Sequence, residues 1–371
     1  MSTRSEDAGT LAPPDFETAR TRHQRTRASG MDPDYWYPVA LDREVARGKV
    51  VEVSFWGRSM ALFRGSDGTL RALDNRCAHR QLKLSAGQVE GCNLVCLYHG
   101  WSHDGEGRVA DIPHDLFGRP VPKTRIRSYP VRTRYQLIWL FPGNPELAEA
   151  RGIPELAELE GGDAWPHVID EFTVRAHHSV IMDNVSDFTH AYLHRKYEPF
   201  SLDTLLTSLE PGPDSVRLSY RTKVGGSRLS KVFVNERRVD TGAITLCYEY
   251  PFQWSDTGKN LKEWCFVLPI DERTTRVFFL FAFSRDFFRL PLLPMRMPCF
   301  LVKVLLRLAD RMHIRRVLEQ DRVAVEAEQE AYEAFFHLPV PELNPAVKEL
   351  QALTVRKWQE HLDRTHFPAR P

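Results

Sequence analysis

Two short stretches decide how this sequence folds: residues 76–80, RCAHR, and residues 96–101, CLYHGW. Together they read C-x-H, sixteen intervening residues and C-x-x-H, so each stretch supplies one cysteine and one histidine. Zinc binds thiolate and imidazole, but zinc fingers take their cysteines from one short loop and their histidines from another. A pair of irons, with thiolates on one iron and imidazoles on the other, suits loops that each carry both ligand types.

The sequence around these stretches reads as short strands separated by turns. Between about residues 34 and 143 the segments WYPVA, KVVEVSFW, SMALFRG, LRALDN and YQLIWLF are rich in β-forming residues. Such closely spaced strands, with glycine and aspartate at the bends, predict a small antiparallel β domain. The following segment, PGNPELAEARGIPELAELEGGD, reads as a connection. We expect one domain over 34–150 and a second over 151–371, after a disordered or peripheral tail over 1–33.

The two cysteine-histidine stretches, with a glycine and a tryptophan after the last histidine, resemble the Rieske iron-sulfur domain. The resemblance implies an all-β domain in which Cys77, His79, Cys96 and His99 bind a [2Fe-2S] cluster. A structural zinc site is the alternative.

Beyond the connection the pattern changes to longer strands followed by helices. The strand-like EFTVRAHHSVI comes first, and SVRLSYRTKV, AITLCYEYPFQW, LKEWCFVLPI and TTRVFFLFAFS follow as strand candidates. Apolar residues then recur at helical spacing between about residues 301 and 336, and again after Pro345. We predict an α+β protein whose second domain is an antiparallel sheet with helices packed on it. That arrangement resembles the helix-grip (START-like) fold of sterol-transfer domains.

Residues 187–194, DFTHAYLH, place two histidines one helical turn apart, with an acid three residues before the first. We predict a helix in which Asp187, His190 and His194 share a face. With a cluster upstream, the longer stretch MDNVSDFTHAYLH resembles the mononuclear iron motif of Rieske non-heme iron oxygenases, and Asn184 completes the match. Three residues separate the histidines, as in carbazole-dioxygenase-like members, whereas many members have four.

Two imidazoles and one carboxylate bind ferrous iron and leave positions open for dioxygen. In the family the carboxylate comes from a late helix, and the matching text here, LEQDRVAVEAEQ, nominates Asp321. Glu319, Glu326 and Glu328 are the alternatives.

The resemblance gives Asp187 and Asn184 catalytic roles beside the metal ligands. It implies that Asp187 links His99 of one subunit to His190 of its neighbour, as an acceptor behind both ligands. Such a path requires a ring-closed oligomer, which we expect to be a homotrimer.

The composition limits the partners. Lysine and arginine total 50 against 49 aspartate and glutamate, so we expect no nucleic-acid partner. Six cysteines without an apolar leader predict a reducing compartment, the cytoplasm.

The apolar residues 287–308 contain charges and prolines, so we expect no transmembrane segment. A buried helix or cavity wall is the main interpretation there, and a membrane-surface patch the alternative. The arginine-rich residues 18–28 read as a solvated tail.

The resemblance predicts the terminal oxygenase of a multicomponent Rieske system. It would use dioxygen and electrons from NAD(P)H, delivered through a separate reductase with or without a ferredoxin, since the chain has no GxGxxG nucleotide turn. Hydroxylation, dihydroxylation, desaturation and oxidative demethylation all remain open. The aromatic strands predict a hydrophobic, polycyclic or terpenoid substrate. A Rieske-type electron carrier and a lipid-binding module without catalysis are the alternative functions.

Overall fold

The N-terminal part of the chain is a group of small antiparallel sheets. The structure is a computed structural model that describes residues 12–113, 118, 120–160, 165–197, 199–222, 243–258, 260–284 and 297–366. The strands of this part are Tyr37–Leu41 (β1), Val50–Phe55 (β2), Arg58–Arg64 (β3), Leu70–Asp74 (β4), Gln88–Glu90 (β5), Asn93–Val95 (β6), Ser102–His103 (β7), Val109–Asp111 (β8), Ser128–Tyr129 (β9), Val131–Arg134 (β10) and Leu137–Leu140 (β11). They pair in the orders β1-β11-β10, β2-β3-β4-β9 and β5-β6-β7-β8.

The C-terminal part is built on one seven-stranded antiparallel sheet. Its strands are His167–Val174 (β12), Leu205–Pro211 (β13), Ser215–Arg221 (β14), Ala243–Glu249 (β15), Phe252–Thr257 (β16), Leu261–Pro269 (β17) and Thr275–Phe283 (β18). Their order is β12-β18-β17-β16-β15-β14-β13, so β12 crosses to the far edge beside the last strand. The predicted succession of antiparallel strands is confirmed from β14 to β18, and β13 is an edge strand that the sequence analysis did not predict.

Helices pack on this sheet. The described helices are Arg22–Arg27 (α1), Ala148–Arg151 (α2), His178–Ser186 (α3), Cys299–Ala309 (α4), Arg315–Phe335 (α5) and Pro345–His366 (α6), with a π-helical turn over Asp310–Ile314. α3 contacts β17, α5 contacts β12, and α6 contacts β14. The predicted α+β class is confirmed, with an all-β N-terminal part and a helix-gripped C-terminal sheet.

One hydrophobic core joins the two parts. Buried side chains run from β1 and β11 into β17 and β18 without a break, for example from Trp139 to Phe266, whose ring centroids are 5.1 Å apart. The Arg276 guanidinium on β18 also donates to the Val39 carbonyl on β1 at 2.9 Å. The boundaries at 34–150 and 151–371 stay predictions.

One strand prediction and one helix prediction need correction. AITLCYEYPFQW is two strands, β15 and β16, because the chain turns at Tyr250 and Pro251, and proline has no N–H for a continuing ladder. The predicted helix over 187–194 is wrong: α3 ends at Ser186, and Phe188–Tyr192 forms a 3₁₀ turn with His190 at φ −77°, ψ 21°. The Asp187 carboxylate causes the break, since it accepts from the Thr189 amide at 2.9 Å and caps a new turn.

The arginine-rich segment is ordered instead of solvated in its described part. Thr21 caps α1, and Arg27 is 6% exposed. The Arg27 guanidinium lies 2.9 Å from Asp183 and 2.8 Å from Glu328, and these carboxylates compensate its burial. The prediction of a solvated tail is therefore wrong for residues 18–28, whereas the boundary of a disordered or peripheral segment over 1–33 stays a prediction. Residues 1–11 lie outside the described residues.

The apolar segment near residue 300 is only partly buried. Val302 and Leu306 on α4 are buried, whereas Phe300 and Val304 are 67% and 58% exposed. Residues 287–296 and the end of SVRLSYRTKV lie outside the described residues. Within the described part of the chain, no helix combines the length and the apolar character that crossing a membrane requires.

Candidate metal centres

The first centre forms where two loops of the N-terminal part meet. One loop follows β4 and carries Cys77 and His79, and the other joins β6 to β7 and carries Cys96 and His99. The Cys96 amide donates to the Trp101 carbonyl at 2.9 Å, which closes the second loop on itself. The Trp101 ring stacks on His79 with centroids 4.7 Å apart, so the second loop also holds a ligand of the first.

The four predicted ligands form a buried thiol pair and an outer imidazole pair. Cys77 and Cys96 are 1% and 3% exposed, while the rings of His79 and His99 are half-buried with centroids 4.6 Å apart. Burial, reinforced by the Cys96 thiol, raises the pKa of Cys77 to about 11, so two thiolates here require a cation. His79 Nδ1 is buried without a hydrogen-bond partner in the described structure. These groups fit a [2Fe-2S] cluster, which accepts thiolates and imidazoles in separate pairs.

The second centre lies between the turn after α3 and the second turn of α5. His190 and His194 come from the turn, and Asp321 comes from the helix. Asp321 Oδ1 lies 3.6 Å from His190 Nε2 and 3.2 Å from His194 Nε2. One ligand atom from each residue lies within 4.8 Å of the other two. Two imidazoles and a carboxylate at this separation fit a ferrous ion with open positions.

Two amide side chains orient these ligands. His194 Nδ1 lies 3.0 Å from Gln320 Oε1, and an N–H donated there leaves Nε2 unprotonated and turned toward Asp321. The Asn184 amide donates to Asp321 Oδ1 at 3.4 Å. Gln320 belongs to α5, which carries Asp321, and Asn184 belongs to α3, which leads into the turn with both histidines. The packing of α3 against α5 therefore builds the ligand set and its support together.

The electrostatics of the three residues suit a shared cation. Burial lowers the pKa of His190 more than Asp321 raises it. Burial also lowers the pKa of His194, but hydrogen bonding to Asp321, the charge of Asp321 and the bond to Gln320 outweigh it, and the net pKa shift is upward. His190 Nδ1 has no hydrogen-bond partner in the described structure. A proton or a metal ion beside Asp321 compensates the carboxylate.

The competing acids of α5 have other partners. They are Glu319, paired with Arg322, Glu326, paired with Arg322 and Arg175, and Glu328, paired with Arg27. In the described part of the chain Asp321 is the α5 acid that lies against both histidines. The choice of Asp321 over its neighbours is thus supported by geometry.

Asp187 lies beside the centre but does not bond to the His190 ring. Its Oδ1 accepts from the Thr189 amide at 2.9 Å, from the Thr189 hydroxyl at 2.6 Å and from the Asn344 amide at 2.9 Å. Its charge still acts to raise the pKa of His190. A link from Asp187 to the cluster of another subunit stays a prediction.

Three residues near the iron ligands had no assigned role in the sequence analysis. Gln320 was visible as the neighbour of Asp321, whereas Phe200, whose ring lies 5.4 Å from His190 and 5.6 Å from His194, left no sequence signal. Glu263 is an acid in the apolar strand β17, and its position in LKEWCFVLPI was the only signal. Burial, followed by the charge of Asp321, raises the pKa of Glu263 to about 7.

Two family models match the two parts of the chain. Residues 35–129 match the Rieske [2Fe-2S] domain, and residues 174–364 match the vanillate O-demethylase oxygenase C-terminal domain. The first match contains the two cysteine-histidine loops, and the second contains the turn with both histidines and Asp321.

Individual proteins agree with these matches. The 4beta-methylsterol monooxygenase of Methylococcus capsulatus is 44% identical over 342 residues, which cover 92% of each chain. The oxygenase component of dicamba O-demethylase from Stenotrophomonas maltophilia is 35% identical over 161 residues, 43% of this chain and 47% of its own. A crystal structure of dicamba monooxygenase bound to dicamba has a TM-score of 0.72, covering 91% of this chain and 99% of that one at 22% identity. At that identity the likeness shows the fold alone.

Proposed function

Because the chain belongs to the Rieske non-heme iron oxygenases, as a terminal oxygenase component, we propose that it oxidises a methyl group of a sterol-like, fused-ring substrate. The observation that carries this proposal is the 44% identity, over 92% of both chains, with a protein named for 4beta-methylsterol oxidation. The predicted class of hydrophobic, polycyclic substrate agrees with it. The relatives that are named for aromatic substrates match less than half of this chain. They therefore support the family assignment more than they support any substrate assignment.

We assign the cofactors of the family to specific residues. Cys77, His79, Cys96 and His99 hold the [2Fe-2S] cluster, an assignment supported by the buried thiol pair and the outer imidazole pair. His190, His194 and Asp321 hold the mononuclear ferrous ion, supported by ligand atoms that lie within 4.8 Å of one another.

The reaction adds one oxygen atom to carbon. A C–H bond of the methyl group breaks and a C–O bond forms, while the second oxygen atom of dioxygen leaves as water. Two electrons come from NAD(P)H through the reductase, with two protons to balance them. The metal ion, when bound, supplies the activation of dioxygen that side chains lack. Gln320 holds His194 in the ligating tautomer, and Phe200 keeps an apolar surface against both histidines.

The protein partners are those that deliver electrons from NAD(P)H to the metal centres. A separate reductase must dock near the cluster, where Leu97 and Tyr98 are 68% and 58% exposed. A homotrimer in the cytoplasm, with Asp187 between the cluster of one subunit and the iron of the next, remains part of this proposal. Asn184, which donates to Asp321, acts as a positioning residue.

The alternative functions explain less of the molecule. An electron carrier needs the cluster loops but gives no purpose to the second ligand set. A lipid-binding module needs the helix-gripped sheet but no imidazole pair facing a carboxylate.

Product analysis tests the proposal. The purified holoprotein, supplied with NADH and a reductase-ferredoxin pair, is incubated with a 4,4-dimethylsterol under isotopically labelled dioxygen. We expect a hydroxymethyl sterol that contains one labelled oxygen atom, identified by mass spectrometry. The same sterol without 4-methyl groups is the control and should give no product. Oxidation of an aromatic methyl ether, with every sterol left unchanged, would contradict the sterol assignment while leaving the oxygenase class intact.

A further inference from the structure

Helix α4 and the π-helical turn after it expose a stripe of large apolar side chains. The members of this apolar stripe, which are between 42% and 67% exposed, are Phe300, Leu301, Val304, Leu308 and Met312. Apart from Leu301 they are spaced four residues apart, so they follow one side of the helix. Val302 and Leu306 on the same helix are buried. Each lies two residues after a member of the stripe, which is about 200° round the helix, so the stripe points away from the protein.

A row of cations runs beside the apolar stripe. The members of this basic row, all exposed and again four residues apart, are Lys303, Arg307 and Arg311. The nearest ion pairs in the described part of the chain join Arg315 to Asp170 and to Asp310, and no described ion pair includes a member of the row. The sequence has no aspartate or glutamate from residue 287 to residue 309, and Asp310 is buried. The positive charge of the row is therefore available to a partner.

Apolar and basic side chains in this arrangement fit the surface of an anionic bilayer. The apolar side of such a helix enters the boundary between headgroups and acyl chains, while lysine and arginine attract the anionic headgroups. Helix α4 has 11 residues. It is therefore about 16 Å long, which is too short to cross a hydrocarbon core of about 30 Å. The helix can lie along a bilayer surface but cannot span the bilayer.

A second copy of this chain fits the same surface less well. Two such faces placed together would bring two basic rows against each other without acids between them. The predicted subunit contact at Asp187 also lies elsewhere, because the Asn344 amide donates to Asp187 at 2.9 Å and to the Tyr220 hydroxyl on β14 at 3.1 Å. Helix α4 contacts β12 instead, and four strands of the sheet separate β12 from β14.

The chain connects this surface directly to the candidate iron site. Helix α4 continues through the π-helical turn into α5, which carries Asp321. At a rise of about 1.5 Å per residue, Asp321 lies about 14 Å along the helix from Met312. The rings of His313 and Tyr197 have centroids 5.7 Å apart, and the Tyr197 amide donates to the His194 carbonyl at 2.9 Å. A compound that leaves a bilayer at this surface is therefore close to the metal ligands.

We propose that the apolar stripe and the basic row dock this protein on the surface of an anionic phospholipid bilayer. The apolar side chains insert among the lipids, and the cations bind the headgroups beside them. The bilayer then serves as the source of a sterol-like substrate, which dissolves in lipid far better than in water. Docking itself does not depend on the substrate, whereas the role of the bilayer as a source rests on the proposed function.

Flotation of the holoprotein with lipid vesicles tests the docking without any substrate. Vesicles of phosphatidylcholine alone are compared with vesicles that also contain phosphatidylglycerol, at low and at high salt. A charge variant combines Lys303→Gln, Arg307→Gln and Arg311→Gln. An apolar variant combines Phe300→Ser and Val304→Ser.

Two control variants change equally exposed side chains outside this surface. The charge control removes three cations of the N-terminal part through Arg43→Gln, Arg47→Gln and Lys49→Gln. The apolar control combines Leu202→Ser and Leu205→Ser. The cluster spectrum and the oligomer mass of each variant are recorded first, so that only folded protein enters the comparison.

We expect the wild type to bind the phosphatidylglycerol vesicles about 100-fold more tightly than the neutral ones, because each of three cations contributes about fivefold. The charge variant should lose about 100-fold in affinity for the anionic vesicles and most of its salt dependence. The apolar variant should lose at least about 10-fold on both kinds of vesicle, because two apolar side chains no longer leave water. Both controls should bind within about twofold of the wild type.

The outcomes separate docking from catalysis. Absence of flotation with anionic vesicles, or equal binding by the wild type and the charge variant, overturns the docking surface and leaves the proposed oxidation standing. If the apolar variant instead changes the oligomer mass and the wild type binds no vesicle, the face joins copies of this chain, and the bilayer proposal is overturned. Normal docking without oxidation of any sterol contradicts the proposed function and leaves the docking surface standing.

Discussion

The two metal centres of this chain are assembled in opposite ways. The predicted cluster ligands lie between positions 77 and 99, in two loops of one small β region. Each loop is closed by its own backbone hydrogen bonds, and ring stacking joins the two loops. The predicted iron ligands lie at positions 190, 194 and 321, and they meet because α5 packs beside the turn after α3. One centre depends on local loops, and the other on contacts between distant segments.

This difference determines which changes each centre tolerates. Bringing distant segments together carries an entropic cost that packing elsewhere must offset. Changes in remote packing should therefore weaken the iron site before they affect the cluster. The following predictions test that contrast.

Loss of a cluster ligand should have the largest effect. We expect Cys96→Ala to lose the visible spectrum, the acid-labile sulfide and all turnover, because a thiolate of the cluster cannot be replaced. Iron per chain should fall from about three to about one, measured by metal analysis. Cys92→Ala, which changes a cysteine outside the loop pattern, should keep the wild-type spectrum. Stoichiometric zinc without sulfide in the wild type would contradict the cluster.

Loss of the carboxylate should remove only the second metal. We expect Asp321→Ala to keep the cluster spectrum. Loss of a residue that only supports a ligand weakens metal binding about 10- to 100-fold, and loss of the ligand Asp321 itself should weaken iron binding by more than that. Turnover should disappear with the iron. Glu319→Gln, an exposed acid on the same helix, is the matched control and should retain both. Should Glu326→Gln lose the iron while Asp321→Ala keeps it, the assignment of the carboxylate is wrong.

Loss of the buried arginine should distinguish the two regions. Arg27 pairs with Asp183 on α3 and Glu328 on α5, the elements that bring the iron ligands together. Removing one partner of a buried pair costs about 3–5 kcal/mol of unfolding free energy, so Arg27→Met should destabilise the protein by this order. Denaturant unfolding should show iron release before loss of the cluster spectrum. Arg25→Met, on the exposed side of α1, should change neither, and simultaneous loss of both metals in Arg27→Met would contradict the contrast.

Loss of the histidine support should have a smaller effect. Gln320→Leu removes the acceptor for His194 Nδ1, so the imidazole loses its fixed tautomer and orientation. We expect about 10- to 100-fold weaker iron binding with an unchanged cluster spectrum. Gln320→Glu keeps an acceptor and should restore most of the affinity. Equal iron affinity in Gln320→Leu and the wild type would show that the bond is not needed.

Mixed oligomers should give the smallest and most specific effect. A Cys96→Ala chain and a His190→Ala chain, each inactive alone, are combined in equal amounts after reversible dissociation. If electrons pass from the cluster of one subunit to the iron of the next, random mixing restores about a quarter of the sites. Transfer within a chain restores none. Mixed oligomers that are verified by mass but remain inactive would exclude the path through Asp187.

The sequence by itself determined the parts that depend on local chemistry. The four cluster residues follow from two short loops, and the strands from β1 to β4 and from β14 to β18 follow from runs of β-forming residues between turns. These features are carried by neighbouring residues, whose spacing is visible in the chain. Asp321 was identified because the residues around it resemble the motif of the family's late helix. Three neighbouring acids remained as alternatives, because helical spacing alone does not show which acid faces the histidines.

Only the tertiary structure decided the remaining features. The bond from His194 to Gln320 and the burial of Arg27 depend on segments that are distant in sequence. The turn at His190 depends on a local side-chain bond that residue spacing does not reveal. The Asp187 carboxylate caps Thr189 and so interrupts the helix that residue spacing predicts. Asp183 and Glu328 allow Arg27 to be buried where composition predicts a solvated tail. Spacing along the chain shows which residues are able to meet, and packing decides which of them do.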